Sequence, residues 1–102
     1  MKISVLIAAY EADRFIPNAL ASVAGQTHLD WELVVVEDGS RDTTEALVKA
    51  FAATVAPRHV RYANLGVNQG VAAARNRLLE LFTGEAVAFL DADDRWRPDH
   101  LS

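Results

Sequence analysis

The 102-residue sequence contains no cysteine. Disulfides and thiolate-bound metals are excluded, and the chain is compatible with a reducing compartment. It also lacks any apolar run near the roughly 20 residues that a membrane-spanning helix needs. The opening Met1-Lys2-Ile3-Ser4-Val5-Leu6-Ile7 resembles a signal peptide only superficially. Its apolar run is short, and acids follow at Glu11 and Asp13 where a small-residue cleavage site would stand. An excess of positive charge is missing too. The net charge is −4, which gives no basic surface for nucleic acid. Glycine is sparse and wrongly spaced for two common phosphate loops. The five glycines, at 25, 39, 66, 70 and 84, never form the Gly-x-Gly of a dinucleotide fingerprint. Neither Lys2 nor Lys49 follows a glycine, so there is no P-loop. No internal repeat or low-complexity segment is present.

What remains is the composition of one small globular domain, about half apolar and a quarter charged. The stretch Val87-Ala88-Phe89-Leu90-Asp91-Ala92-Asp93-Asp94 organises the reading. An apolar run rich in Val, Phe and Leu predicts a buried, central strand. It stops abruptly in carboxylates, which strands disfavour. Upstream, Ile3 to Ala9 predicts a first strand buried on both faces. Asp13 is placed to cap a helix carrying Phe15, Ile16, Leu20, Val23 and Ala24 on one stripe, with Pro17 in its first turn and Gly25 at its end. Trp31 to Val36 predicts a second strand, running into Glu37-Asp38-Gly39-Ser40. Asp42 and Glu45 have capping-box spacing for a second helix, with Leu47, Ala50, Phe51 and Val55 toward the sheet and Pro57 stopping it. His59 to Ala63 predicts a short, less apolar strand near an edge. A loop from Asn64 to Gly70 leads to a third helix, Val71 to Phe82. Arg97-Pro98-Asp99-His100 has the look of another helix start.

The order β-α-β-α-β-α-β implies right-handed crossovers and a parallel sheet, hence a three-layer α/β/α, Rossmann-like domain. Each strand's carboxyl end then falls on one edge, where ligands of such sheets bind. Tyr10, Asp38 and the Asp91–Asp94 cluster share that rim. Crowded carboxylates call for a hard divalent cation, and Mg²⁺ commonly takes one or two carboxylates plus substrate phosphates. A metal-bridged diphosphate is therefore the nucleotide-binding scheme left open. In it Asp93 and Asp91 hold the cation, Asp38 accepts a hydrogen bond from a base N–H, and Tyr10 lies against the base. Taken singly, each residue has a plainer reading. Asp91 and Asp93 serve as loop acids or caps, Asp38 as a turn residue, Tyr10 as a half-buried strand-end aromatic, and Arg75 as a solvated or ion-paired helix residue. His28, His59 and His100 lack metal-ligand spacing, and Trp96 reads as packing.

Five segments in order resemble family 2 glycosyltransferases of the GT-A fold. Ile3-Ser4-Val5-Leu6-Ile7-Ala8-Ala9-Tyr10 resembles the family's opening strand, and Ser22-Val23 with Gln26-Thr27 the end of its first helix. Glu37-Asp38-Gly39-Ser40 resembles its Asp-Asp-Gly-Ser turn. Asn68-Gln69-Gly70-Val71-Ala72-Ala73-Ala74-Arg75-Asn76 is similar to its Asn-x-Gly-x-x-x-Ala-Arg-Asn segment. Gly84-Glu85 with Phe89-Leu90-Asp91-Ala92-Asp93-Asp94 resembles its strand ending in Asp-x-Asp. The resemblance implies a nucleotide-diphosphate sugar donor (a UDP, dTDP or GDP sugar) and Mg²⁺ or Mn²⁺. By position it implies Asp93 as metal ligand and Asp91 beside the ribose or the metal's water shell. It sets Asp38 at the base with Tyr10 and the Ala8 backbone, and Arg75 near the base or diphosphate. Transfer in the family inverts the sugar, with a carboxylate deprotonating the acceptor.

Two positions depart from the pattern. Ala8-Ala9 stands where the family often has Pro-Thr, removing a hydroxyl that could meet the nucleotide, and Glu37 replaces the first Asp of its turn. The family's acceptor-binding half and catalytic base lie beyond Asp-x-Asp, and this sequence ends eight residues past Asp94. None of its acids fits the base by position. The expectation is therefore one donor-binding domain over residues 1–102, truncated, with little or no transferase activity alone. The full-length protein is expected to be cytoplasmic, peripheral to the inner face of the membrane. Two other classes compete. Phe89-Leu90-Asp91-Ala92-Asp93 also resembles the Asp-x-Asp of haloacid-dehalogenase-like phosphohydrolases, although that motif belongs on a first strand. A non-catalytic binding or assembly module is the third, self-associating through exposed edges.

Overall fold

A computed structural model describes residues 1–39, 42–92, 97 and 100–101. Among the described residues four strands and three helices alternate: β1 (Ile3–Ala9), α1 (Ile16–Ala24), β2 (Trp31–Glu37), α2 (Thr44–Val55), β3 (Val60–Asn64), α3 (Val71–Leu81) and β4 (Ala86–Phe89). The strands form one sheet in the order β3-β2-β1-β4, with every pairing parallel. This is the α/β architecture expected, with all carboxyl ends on one edge.

Side-chain alternation divides the sheet into two faces. Val5 and Ile7 of β1 and Leu33 and Val35 of β2 pack with Ile16, Leu20 and Val23 of α1 and Val48 and Val55 of α2. Leu6, Val34 and Val36 point the other way, onto Ala74 and Leu78 of α3. Three layers result, and the two central strands are buried on both sides. That burial explains why their sequences are continuous apolar runs rather than alternating ones. β3 lies at one edge, as its mixed composition predicts.

The expectation of a central β4 is corrected. β4 is the other terminal strand of this sheet, paired to β1 through Ile3 to Leu6. Val87 and Phe89 are 39% and 44% exposed. A four-residue apolar run does not reveal whether one face or two will be covered. Here Leu90 and Ala92, just past the strand, reach the core instead.

Helix starts also differ from the sequence reading. Asp13 does not cap α1; the cap position is Phe15, without a side-chain bond. Phe15 itself is exposed, and Ala19 takes its place on the buried stripe. In α2, Val48 is buried where Ala50 was expected to be. No capping box forms there either. Asp42 lies one residue before the cap, and its Oδ1 accepts from the Thr44 N–H at 3.0 Å. Its Oδ2 accepts from the Asp13 N–H at 3.2 Å, while the Thr43 hydroxyl donates to Asp13 Oδ2 at 3.0 Å. These reciprocal bonds join the approaches to α1 and α2. Burial alone would raise the Asp42 carboxyl pKa, but hydrogen bonds from Thr44 and Asp13 outweigh it and hold it below the ordinary value. Stability from this group is present above the ordinary carboxyl range and lost as pH falls through it. Asp42→Ala is expected to cost about 1 kcal/mol at neutral pH, read by urea unfolding, and less in acid.

The end of α1 secures the last described residues. The Gln26 amide N–H donates to the Arg97 carbonyl at 2.7 Å, and Gln26 Oε1 accepts from the Leu101 N–H at 2.9 Å. The helix start expected at Arg97 falls mostly outside the described residues.

A buried polar network closes the amino edge of the sheet. Glu32 on β2 is fully buried and stands opposite Ser4 of β1 in the strand register. Its carboxylate accepts from the Ser4 hydroxyl, from the Thr83 N–H at 2.6 Å and from the Thr83 hydroxyl at 2.9 Å. The Lys2 ammonium lies 3.7 Å away and the Arg61 guanidinium 4.0 Å. Gly84 is packed so tightly there that a Cβ would sit 2.5 Å from Ser4 Oγ and 2.8 Å from the Lys2 carbonyl.

Candidate functional site

The opposite, carboxyl edge carries the candidate site. β1 runs out through Ala8 and Ala9 to Tyr10, which is 53% exposed. Glu11 follows at φ 50°, a left-handed conformation uncommon for a residue with a side chain. The chain thus turns sharply at the rim and leaves Tyr10 standing between two adjoining clefts.

The first cleft, of about 260 Å³, is lined by Ala8, Tyr10, Asp38, Asn68, Gly70 and the start of α3. The second, of about 280 Å³, is lined by Ala8, Tyr10, Glu11, Phe15 and Asp91. Either alone is slightly small for a typical ligand site of about 300–1,000 Å³. Because Ala8 and Tyr10 belong to both, the two can serve one ligand with two unlike parts. The first is mostly apolar with a few polar groups at its wall. The second carries two carboxylates.

Asp38 continues β2 by one residue and is 5% exposed. Its N–H donates to the Ala9 carbonyl at 2.8 Å, locking the ends of the two central strands together. Its carboxylate is already engaged: Oδ1 accepts from the Gln69 N–H at 2.6 Å and Oδ2 from the Gly70 N–H at 2.9 Å. Neighbouring Glu37 points to the opposite face of the sheet and lines neither cleft. There it accepts from the Tyr62 hydroxyl, and burial with the adjacent Glu37 charge raises the phenol pKa above its ordinary value. The substitution of Glu at this position thus falls in the core beneath the rim.

The structure brings Ala8, Tyr10, Asp38 and Asp91 together on one edge, although 83 residues separate Ala8 from Asp91. Arg75 is not among the residues lining the two clefts. It lies on the exposed face of α3, with its guanidinium carbon 5.3 Å from the centroid of the Phe89 ring, a cation–π contact near the end of β4. Asp93, the expected metal ligand, lies outside the described residues, as do Asp94 and Trp96. Among the described residues no group of three or more His, Cys, Asp or Glu side chains could by itself hold a metal ion. The donors present on the rim are carboxylates, which suit a hard cation completed by ligand oxygens. Glu11, Phe15 and Asn68 line the clefts without a site signal of their own in the sequence. Asn68 belongs to the Asn-x-Gly segment, Phe15 reads as a core residue of α1, and Glu11 reaches the cleft through a left-handed turn that no glycine announces.

A parallel sheet with a two-part cleft at its carboxyl edge defines an α/β domain of the kind that binds ligands at that edge. Comparison with known proteins is specific. The profile of glycosyl transferase family 2 matches residues 4–102, and the chain belongs to that family. It is 43% identical over 101 residues to an uncharacterized glycosyltransferase of Nostoc, covering 99% of this chain and 31% of that protein. A crystal structure of S. aureus TarS 1-349 in complex with UDP superposes with a TM-score of 0.90 at 32% identity, covering 99% of this chain and 30% of that one. A mannosyltransferase from Pyrobaculum calidifontis in complex with GDP-Man and Mn²⁺ gives a TM-score of 0.85 at 29% identity, over 92% of this chain and 28% of the other. The fold is therefore that of GT-A glycosyltransferase domains. The chain spans roughly a third of the length of the curated relatives it matches.

Proposed function

We propose that the chain grips a nucleotide-diphosphate sugar across the two clefts, with the base and ribose in the first and the diphosphate in the second. The observation that carries this reading is the shared wall of Ala8 and Tyr10 between a mainly apolar cleft and a carboxylate-lined one. An aromatic ring and a peptide backbone suit a planar base. Carboxylates beside a diphosphate are tolerable only with a cation between them, and Asp91, with Asp93 by sequence, would hold Mg²⁺ or Mn²⁺. When bound, that ion would neutralise the diphosphate as a leaving group. UDP in TarS and GDP-Man with Mn²⁺ in the mannosyltransferase, both on this fold, support a nucleotide-sugar as the class of ligand. In the whole enzyme the donor sugar would pass with inversion to an acceptor hydroxyl deprotonated by a carboxylate. This chain would supply the donor grip.

Calorimetric titration of UDP, dTDP and GDP, with and without Mn²⁺, tests the reading. At least one should bind, and only with metal. Asp91→Ala and Asp93→Ala should each weaken it by about tenfold or more, the worth of one contact to a charged group. Binding of none under either condition overturns the proposal. Phosphate release from a generic phosphomonoester would turn it toward a phosphohydrolase.

A further inference from the structure

We infer that β4 is a homotypic interface: two copies of this chain join edge to edge, their β4 strands antiparallel about a two-fold axis through Ala88. The inference stands apart from the nucleotide reading above.

Among the described residues β4 is paired on one side only, to β1. The Ala86 and Leu90 N–H groups donate to the Lys2 and Leu6 carbonyls. By the period of two, Val87 and Phe89 turn their own N–H and C=O groups outward, a template for another strand. The two edges of the sheet are unlike. β3 carries Arg61 within its length, a charge of the kind that blunts an edge, whereas Ala86-Val87-Ala88-Phe89 has no charge and no proline. Apolar side chains accompany this bare backbone. Val87 and Phe89 are both exposed and lie on the α3 face, in register with Ser4 and Leu6. Leu79, one turn beyond Arg75 on α3, is exposed as well.

A second copy is the occupant these features fit, because the edge complements itself under a two-fold rotation. Antiparallel pairing centred on Ala88 sets Val87 against Phe89 of the second copy, and the reverse, giving two aromatic–β-branched cross-strand pairs. Both residues have outward backbone groups, so each pair exchanges both of its hydrogen bonds. Centring on Val87 would set Phe89 against Glu85, and centring on Phe89 would set Val87 against Asp91. Either shift opposes an acid to an apolar side chain. The charges agree with the Ala88 register. Arg75, exposed, stands over Phe89 at the carboxyl end of the strand, and Glu85, exposed, precedes its amino end. The rotation exchanges those ends. Arg75 of each copy then meets Glu85 of the other and offsets the repulsion between that Glu85 and Asp91.

A four-residue edge makes a small interface, so the association is weak. Sedimentation equilibrium on the unmutated chain should show the mass rising from 11.1 kDa toward twice that value between about 10 μM and 1 mM. Val87→Lys places a charge on the exposed edge and should leave the chain monomeric at about 1 mM, with its far-UV circular dichroism unchanged. Arg75→Glu should weaken the dimer about fivefold, since two surface pairs are lost at once, and adding Glu85→Arg should restore it. Amide exchange by NMR needs no variant: the Val87 and Phe89 amides should gain protection as concentration rises, while that of Ala88, which faces β1, stays the same. A monomer at about 1 mM overturns the inference. So does a dimer that Val87→Lys leaves intact. Protection of Val87 and Phe89 that ignores concentration overturns it too, since the chain would then be covering its own edge.

Discussion

Glu32→Ala is expected to cost about 3–5 kcal/mol of folding stability at pH 7, the range for removing one partner of a buried charged network. By the usual scaling this lowers the melting temperature by roughly 12 °C or more. The loss has named sources. The Thr83 N–H, the Thr83 hydroxyl and the Ser4 hydroxyl all donate to this carboxylate, and Ser4 is fully buried. Alanine leaves them facing a cavity that lacks an acceptor, with Lys2 beside it. Acid should reveal the same network in the unmutated chain. Burial by itself would raise the Glu32 carboxyl, but the Ser4 hydroxyl, the Thr83 N–H and hydroxyl and the Lys2 charge together bring it from 4.5 to about 2. A carboxyl lowered in the folded state stabilises fully above its unfolded value. That stability is lost as pH falls from about 4.5 toward 2. The loss should come to on the order of 2 kcal/mol, allowing for screening of the partly solvated Lys2 and Arg61. Urea unfolding at pH 7 and pH 3 measures both effects. In Glu32→Gln the acid-dependent part should shrink. An alanine variant as stable as the parent would mean the network is idle.

The second large effect is expected at Gly39, where φ is +77°. Gly39→Val meets two penalties at once. A β-branched residue in the left-handed region is strained by about 1–2 kcal/mol. Its Cβ would also meet the Asn68 nitrogen, the Val67 carbonyl carbon at 2.5 Å and the Val67 oxygen at 2.9 Å, backbone atoms that cannot rotate away. Forced displacement of that kind adds about 1–3 kcal/mol. A total near 2–5 kcal/mol and a fall in nucleotide affinity of at least about tenfold are expected. Gly66 supplies the control. It has a similar φ, +86°, but a Cβ there meets nothing within 4 Å. Gly66→Ala should cost only the strain, about 1–2 kcal/mol, and leave nucleotide binding intact. Equal behaviour of the two variants in calorimetry and urea unfolding would show that backbone conformation, not the loop contact, governs Gly39.

Much of this was legible in the sequence because two strong signals agree. β1 and β2 are continuous apolar runs, and a helical segment lies between each strand and the next, which together force a parallel sheet. Once parallel, Tyr10, Asp38 and Asp91 must come out along one edge. Signals that depend on distant partners were not legible. Glu32 sits in the run Trp31-Glu32-Leu33-Val34 and gives no hint that Thr83, 51 residues on, will meet it. The carboxylates of Asp13 and Asp42 have the look of caps for their own helices, and Asp42 does meet the Thr44 N–H of α2, but both also take bonds across the gap between the two approaches. Arg75 belongs to the Asn-x-Gly-x-x-x-Ala-Arg-Asn segment, yet its guanidinium lies over Phe89 on a neighbouring strand. The location of β4 at the border followed from sheet order, which no local periodicity encodes.

The placement of the Glu32 network at the far end of the sheet from Tyr10 has an evolutionary corollary. What keeps the chain folded and what would select its ligand share the same strands yet occupy opposite tips of them. Tyr10, Asn68 and Phe15 can thus drift or be randomised in a laboratory library while the anchoring end stays untouched. New ligand preferences can arise on this scaffold without each one having to re-solve the folding problem.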